Sequence, residues 1–149
     1  MRYIGLDLGN KTLGVAVSDP SLFLSSALTT IRFKNRDFVS ALEELKKIVE
    51  SYKDVTKIVL GLPKNMDGTE GFQAETSRNF KKMIEDELKI EVVLLDERLT
   101  SKLALNSMIL GNENRNNRHD KIDEAAAKII LQDYLDMERR KKWLTKMMI

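Results

Sequence analysis

Three acidic positions fall where the chain changes from one kind of element to another. Asp7 lies in the apolar run Tyr3-Ile4-Gly5-Leu6-Asp7-Leu8-Gly9, Asp96-Glu97 closes the run Val92-Val93-Leu94-Leu95, and Asp123 lies within His119-Asp120-Lys121-Ile122-Asp123-Glu124-Ala125-Ala126-Ala127. A carboxylate on an apolar strand is costly to desolvate unless a metal, a cation or hydrogen-bond donors meet it, so Asp7 is either a functional group or a structural cap. Strand alternation lets only one of Asp96 and Glu97 share a face with Asp7. Parity alone leaves the two even. Length and position at the strand end favour Glu97, while Asp96 suits capping of the Thr100 or Ser101 amide. Asp123 shares a helical face with Ala126, Ala127 and Ile130, and small residues there let a helix approach a sheet closely. Each acid also has a bland explanation: capping and the macrodipole favour Asp123 without any function, Asp7 could brace a turn, and Glu97 could pair with Arg98. The functional reading rests on all three facing one edge of a sheet.

Three oxygen donors, with no cysteine and a single histidine in the chain, favour hard ions such as Mg²⁺ or Mn²⁺ over zinc. Two such ions about 4 Å apart activate a water and stabilise the leaving oxygen in an in-line displacement at a phosphodiester, which is nuclease chemistry. Lys64, Arg98, Arg115, Arg118 and Lys121 are the candidate nucleic-acid contacts, gripping phosphates without reading sequence. His119 is a weaker candidate for proton transfer. Phe23 and Trp143 could stack on bases, yet with 6% aromatic residues no platform of alternating aromatic and basic residues is expected.

The elements needed to hold these groups follow from pattern. Tyr3–Leu8 and Leu13–Ser18 flank the breaker Gly9-Asn10-Lys11-Thr12 and read as a β-hairpin, and Ala27–Phe33 supplies a third antiparallel strand. Phe38, Leu42, Leu45, Val49 and Tyr52 recur with helical spacing behind Asn35 or Asp37 as N-cap. Lys57–Gly61 and Glu91–Asp96 read as buried parallel strands. Between them lie the glycine-rich loop Gly61–Gly71 and a helix from about Phe72 to Leu88, with Phe72, Phe80, Met83, Ile84 and Leu88 as its apolar members. A further helix is expected from Ser101 to near Gly111, a polar loop over Asn112–Asp120, and a last helix from about Ile122 into a basic tail. The class is α/β: a mixed five-stranded sheet, three antiparallel strands then two parallel, flanked by helices, with the first strand central.

At 149 residues and 42% hydrophobic content the chain fits one domain, 1–149, with a basic tail over about 137–149. A net charge of +2 argues little for a polyanionic partner, so charge distribution has to carry that case. Cysteine is absent, and no early apolar run has the length of a leader or a membrane span, which makes the cytoplasm the expected location.

Taken together, Asp7-Leu8-Gly9, Gly14-Val15-Ala16-Val17-Ser18-Asp19, Gly61-Leu62-Pro63-Lys64-Asn65-Met66-Asp67-Gly68-Thr69, Asp96-Glu97-Arg98-Leu99-Thr100 and Lys121-Ile122-Asp123 with Ala126-Ala127 resemble the YqgF family of bacteria, also called RuvX. The likeness runs from Met1 to about Leu135. It implies an RNase H-like fold and a metal-dependent nuclease acting in maturation of the 5′ end of 16S rRNA, with an older assignment to Holliday junction resolution. The family's acidic positions fall on Asp7, Glu97 and Asp123, which supports Glu97 over Asp96 as catalytic residue and metal ligand. Where members usually show threonine followed by lysine and arginine in the first turn, this chain has Asn10-Lys11-Thr12.

The expected partners are nucleic acid, structured RNA before a DNA junction, and the precursor of the small ribosomal subunit, with no membrane. A monomer or weak homodimer is expected, since no self-complementary apolar face is visible and junction resolution needs two symmetric sites. An actin-like ATPase, which needs two such domains, and a non-catalytic RNA-binding module are the rival readings.

Overall fold

The computed structural model describes residues 1–100 and 119–148, with backbone alone for 119–122. The expected helix over 101–111, most of the loop over 112–120, and Arg115 and Arg118 lie outside these residues.

The chain opens with β1 (Arg2–Leu8) and β2 (Thr12–Ser18), an antiparallel hairpin running in register from Ile4 opposite Val17 to Leu8 opposite Leu13. Gly9 N donates to Thr12 O at 2.8 Å and closes the turn. β3 (Ser25–Arg32) continues the meander, α1 (Phe38–Tyr52) crosses to β4 (Val55–Leu62), and α2 (Phe72–Leu88) crosses to β5 (Glu91–Asp96). A 3-10 turn at Glu97–Leu99 follows β5, and α3 (His119–Met148) ends the described chain. The strand order β3-β2-β1-β4-β5 puts β1 in the middle, parallel to β4 and antiparallel to β2. Asp37, one of the two expected caps, starts α1 by accepting from Ser40 N at 3.3 Å and Ser40 Oγ at 2.8 Å.

Alternation along the strands divides the interior in two. Ile4, Leu6, Leu13, Val15, Ile58, Leu60 and Val92 face α1 and α2, burying Leu42, Leu45, Val49, Phe80 and Ile84. Tyr3, Ala16, Val59 and Leu95 face α3 and meet Ala127, Ile130, Leu131 and Leu135. Each class of strand residue therefore buries against one helical layer, which is what fixes register.

Two expectations are corrected here. α3 is already helical at His119, three residues before the expected start, consistent with acids Asp120, Asp123 and Glu124 being favoured in the first turns of a helix. Phe72 is no core residue: its ring is 63% exposed and carries the Arg36 guanidinium 4.4 Å from its centroid.

Ser18 ties the start of the sheet together. Tyr3 N donates to the buried Ser18 Oγ at 2.8 Å, and that hydroxyl donates to Asp19 O at 3.0 Å. Ser18→Ala leaves the Tyr3 amide without this acceptor and is expected to lower stability by about 1–2 kcal/mol, read as a drop in the urea midpoint at unchanged m-value.

Candidate active site at the carboxyl end of the central strand

The site begins with three glycines on the α3 face of the sheet. A methyl group added at Gly5 would lie 2.6 Å from Leu131 Cβ and 2.8 Å from Ala127 O. One at Gly14 would run into the carbonyl of Asp123 and come within 3.1 Å of Glu124 N. One at Gly61 would run into Glu97 Oε1 and lie 2.8 Å from Ile130 Cδ1. The missing side chains on the strands, matched by Ala126 and Ala127 on the helix, let the backbone of α3 lie almost on the sheet. Ser25 fixes the crossing, donating from Oγ to Lys128 O at 2.7 Å and from N to Gln132 Oε1 at 2.9 Å.

Asp7 sits in the middle of this arrangement. Two residues beyond Gly5, it shares the α3 face. It is paired with Gly14 across the hairpin, and the parallel register that sets Leu6 beside Leu60 carries Asp7 alongside Gly61. Its two strand neighbours are thus the glycines that receive Asp123 and Glu97. β5 also resolves the even choice between the two adjacent acids. Val92 and Leu94 pack with the α1–α2 core and Leu95 with the α3 core, so Glu97 follows Leu95 and Asp96 goes to the opposite face.

All three acids are half-buried, Asp7 included, so it is less desolvated than its apolar run implies. None is an unpartnered charge. Among the described residues no three acidic or imidazole side chains close into a group that could hold a metal. The fold sets Glu97 and the Asp123 backbone on either side of Asp7 without drawing the carboxylates into a finished ligand set. In donor chemistry, half-buried carboxylates without thiolates match Mg²⁺ or Mn²⁺.

Asp96 has a different job. It caps the turn by accepting from Arg98 N at 3.0 Å, and its carboxylate takes Arg98 Nη2 at 2.7 Å and Nε at 3.2 Å. The hydrogen-bonded guanidinium holds the Asp96 carboxyl below its ordinary value of 3.8, with the backbone bond adding to the effect. A depressed folded-state pKa means stability that is present above the unfolded value and lost as pH falls through the folded one. Asp96→Asn should therefore remove part of the acid sensitivity below about pH 3.8, seen as a shallower loss of melting temperature there than in the parent.

Arg98, expected on phosphate, is engaged by Asp96 and also donates to Met66 O at 3.3 Å, which pins the β4–α2 loop over the end of β5. That loop is braced internally: Asp67 Oδ1 accepts from Thr69 N at 2.9 Å and Thr69 Oγ1 at 2.6 Å, and Gly68 takes φ +92°. Lys64 lies 3.9 Å from Glu70, whose main partner is Arg78 at 2.6 Å, so Lys64 is only loosely held. Lys121 is placed by its backbone in the first turn of α3. The floor of Gly5, Gly14 and Gly61 is absent from the expectations above, and the one local signal for it is a glycine inside a strand pattern, a sign of close backbone approach.

Comparison with known proteins gives this arrangement a family. Residues 1–137 match the family described as RuvX: Holliday junction resolvase. A protein of Clostridium beijerinckii named "Putative pre-16S rRNA nuclease" is 48% identical over 141 residues, covering 95% of this chain and 100% of its own length. A Clostridium botulinum (strain Eklund 17B / Type B) protein of the same name is 47% identical over 136 residues, covering 91% and 97%. In structure, T. thermophilus RuvC in complex with Holliday junction substrate superposes with a TM-score of 0.58 at 13% identity, over 93% of this chain and 96% of that one. The Fowlpox virus resolvase bound to Holliday junction DNA gives 0.55 at 14%, over 92% and 98%. At such identities the structural likeness shows the fold, which is RNase H-like. With nearly its whole length matched and almost half its residues shared with curated relatives, this chain belongs to the RuvX family.

Proposed function

We propose that the protein is a metal-dependent nuclease that hydrolyses phosphodiester bonds in the 5′-end maturation of pre-16S rRNA, and that Asp7, Glu97 and Asp123 are its catalytic residues. The observation that carries the reading is the placement of Glu97 and Asp123 at the two glycines flanking Asp7. The relatives' printed name supports the substrate. In this reading the protein is one catalytic domain and works in the cytoplasm, where that RNA is made.

The carboxylates of Asp7, Glu97 and Asp123 would hold Mg²⁺ or Mn²⁺. A pair of such ions supplies a nucleophile at neutral pH and balances charge on the attacking and leaving oxygens. The remaining work falls to the chain itself. β1 holds Asp7 rigidly at the centre of the sheet, the Asp96–Arg98 pair fixes the turn that presents Glu97, and the glycine floor sets the height of Asp123. Lys64, on the loop pinned by Arg98, and Lys121, at the start of α3, would grip the substrate backbone, with Arg115 and Arg118 adding positive charge.

The direct test is incubation of purified protein with a precursor 16S 5′-end RNA and, separately, a four-way DNA junction, each with Mn²⁺. Cutting of the RNA with the junction intact supports the reading. Symmetric cutting of the junction alone, by a species that light scattering shows to be a dimer, would transfer the same chemistry to recombination, as the family's description and the RuvC-like fold allow.

A further inference from the structure

The last turns of α3 do not belong to the folded body. Helix and sheet stay in contact as far as Lys57, whose Nζ donates to Tyr134 Oη at 3.0 Å and Glu138 Oε1 at 3.1 Å, and Arg139, which donates to Phe23 O at 2.9 Å. Every residue from 140 to 148 is then exposed, although the chain stays helical. The family match ends at residue 137, shortly before this projection starts.

The projection is chemically distinct from the rest of the molecule. Residues 138–149 hold five of the chain's 25 lysines and arginines against one acid, Glu138, giving that segment +4 while the remainder of the chain carries −2. All of the net positive charge is therefore on this helix end. Helical spacing sets Arg139, Lys142, Trp143 and Lys146 on one face. Asp136 and Arg140 lie beside them on the same helix. Trp143, the only tryptophan, is 59% exposed. One turn back, Arg139 lies 4.2 Å over the ring of Phe23, itself 55% exposed, so the stripe continues onto the turn before β3.

We propose that this stripe is a second nucleic-acid-binding surface, which takes an unpaired strand of the substrate with Trp143 stacked on a base and Arg140, Lys142 and Lys146 on its phosphates. The excess of positive charge is complementary to a polyanion, and an exposed indole among cations is the pairing that grips single strands without reading sequence. Helical rise sets Trp143 roughly 30 Å from Asp123. The surface thus holds a part of the chain well away from the bond being cut. The proposal rests on the nuclease reading for its biological meaning, but not for its test.

Because Trp143 is the sole tryptophan, its fluorescence reports on this surface directly. A single-stranded RNA of about 30 nucleotides, added with EDTA so that no cutting occurs, should quench the emission saturably. Trp143→Ala should weaken binding of the same RNA about tenfold by anisotropy, and Trp143→Phe should restore most of it. Lys142→Gln with Lys146→Gln should reduce the slope of log affinity against log salt by about 1.4, and Lys81→Gln with Lys82→Gln on α2 should change it far less. Unchanged emission, or equal losses from the two lysine pairs, would overturn the proposal. So would RNA affinity equal to wild type in the Trp143 and Lys142/Lys146 variants while light scattering shows a changed oligomeric state, since that outcome assigns the helix to a protein contact. A wild-type protein that cuts nothing yet shows the quenching and the slope change defeats the nuclease reading and leaves this surface standing.

Discussion

Asp7→Asn is expected to abolish Mn²⁺-dependent cutting of precursor RNA, a loss of at least about a hundredfold, while RNA affinity stays within about twofold and the melting temperature changes little. The asparagine keeps the shape of the side chain and half of its oxygen donors but removes the charge that a hard divalent ion requires. Stability should be insensitive because Asp7 lies at the end of β1 and is half-buried, with the apolar packing of the strand carried by Ile4 and Leu6. Affinity should survive because the proposed phosphate contacts are lysines and arginines, which the substitution leaves in place. Cutting by the variant at the wild-type rate, in a preparation freed of contaminating nucleases, would remove Asp7 from the chemistry and leave an RNA-binding module.

Gly14→Ala is expected to have the largest effect on stability, about 2–4 kcal/mol, and to take activity with it. The new methyl would meet backbone atoms of Asp123 and Glu124, which have no rotamer with which to yield, so the start of α3 has to lift from the sheet. For a chain of this size that is a fall of roughly 5–15 °C in melting temperature. Gly61→Ala makes the informative contrast. There the obstructed atom is the tip of the Glu97 side chain, which can rotate away, with Ile130 Cδ1 adjusting. Stability should fall by only about 1–2 kcal/mol, whereas cutting should drop much further because Glu97 loses its seat next to Asp7. Equal thermal losses in the two variants would mean that helix docking, and not Glu97 placement, is what Gly61 protects.

The sequence carries the sheet because its signals are local. The Gly9–Thr12 breaker between two apolar runs makes a hairpin wherever it sits, and the unbroken runs at Ile58 and Val92 both form parallel strands; β4 is buried as its run implies, whereas β5 is the edge of the sheet and buries only Val92 and Leu95. The ends of α2 and β5 also fall where the pattern puts them. What was not legible depends on partners distant in sequence. Whether Asp96 or Glu97 turns toward α3 follows from the register of β5 on β4, which places Leu95 against Ile130 and its neighbours, and no count along the strand alone reveals that. Arg98 looks like a free cation beside an acid until the turn folds it back onto Asp96 and across to Met66. Phe72 has core spacing on α2, yet it stays largely exposed, with Arg36 from the turn before α1 stacked on one side of its ring. The glycine floor is the instructive miss. Gly5, Gly14 and Gly61 are scattered over the chain and acquire a common purpose only when one helix crosses all three.

The central claim is that Asp7, flanked by Glu97 and Asp123, holds the divalent ions of a nuclease. Crystals of the protein soaked in millimolar Mn²⁺ and measured at the manganese absorption edge test it most directly. The expected result is two anomalous peaks about 4 Å apart, both within ligand distance of Asp7, with Glu97 and Asp123 drawn in to complete their shells. No peak at Asp7 under those conditions, or manganese bound only by acids elsewhere on the surface, would contradict it.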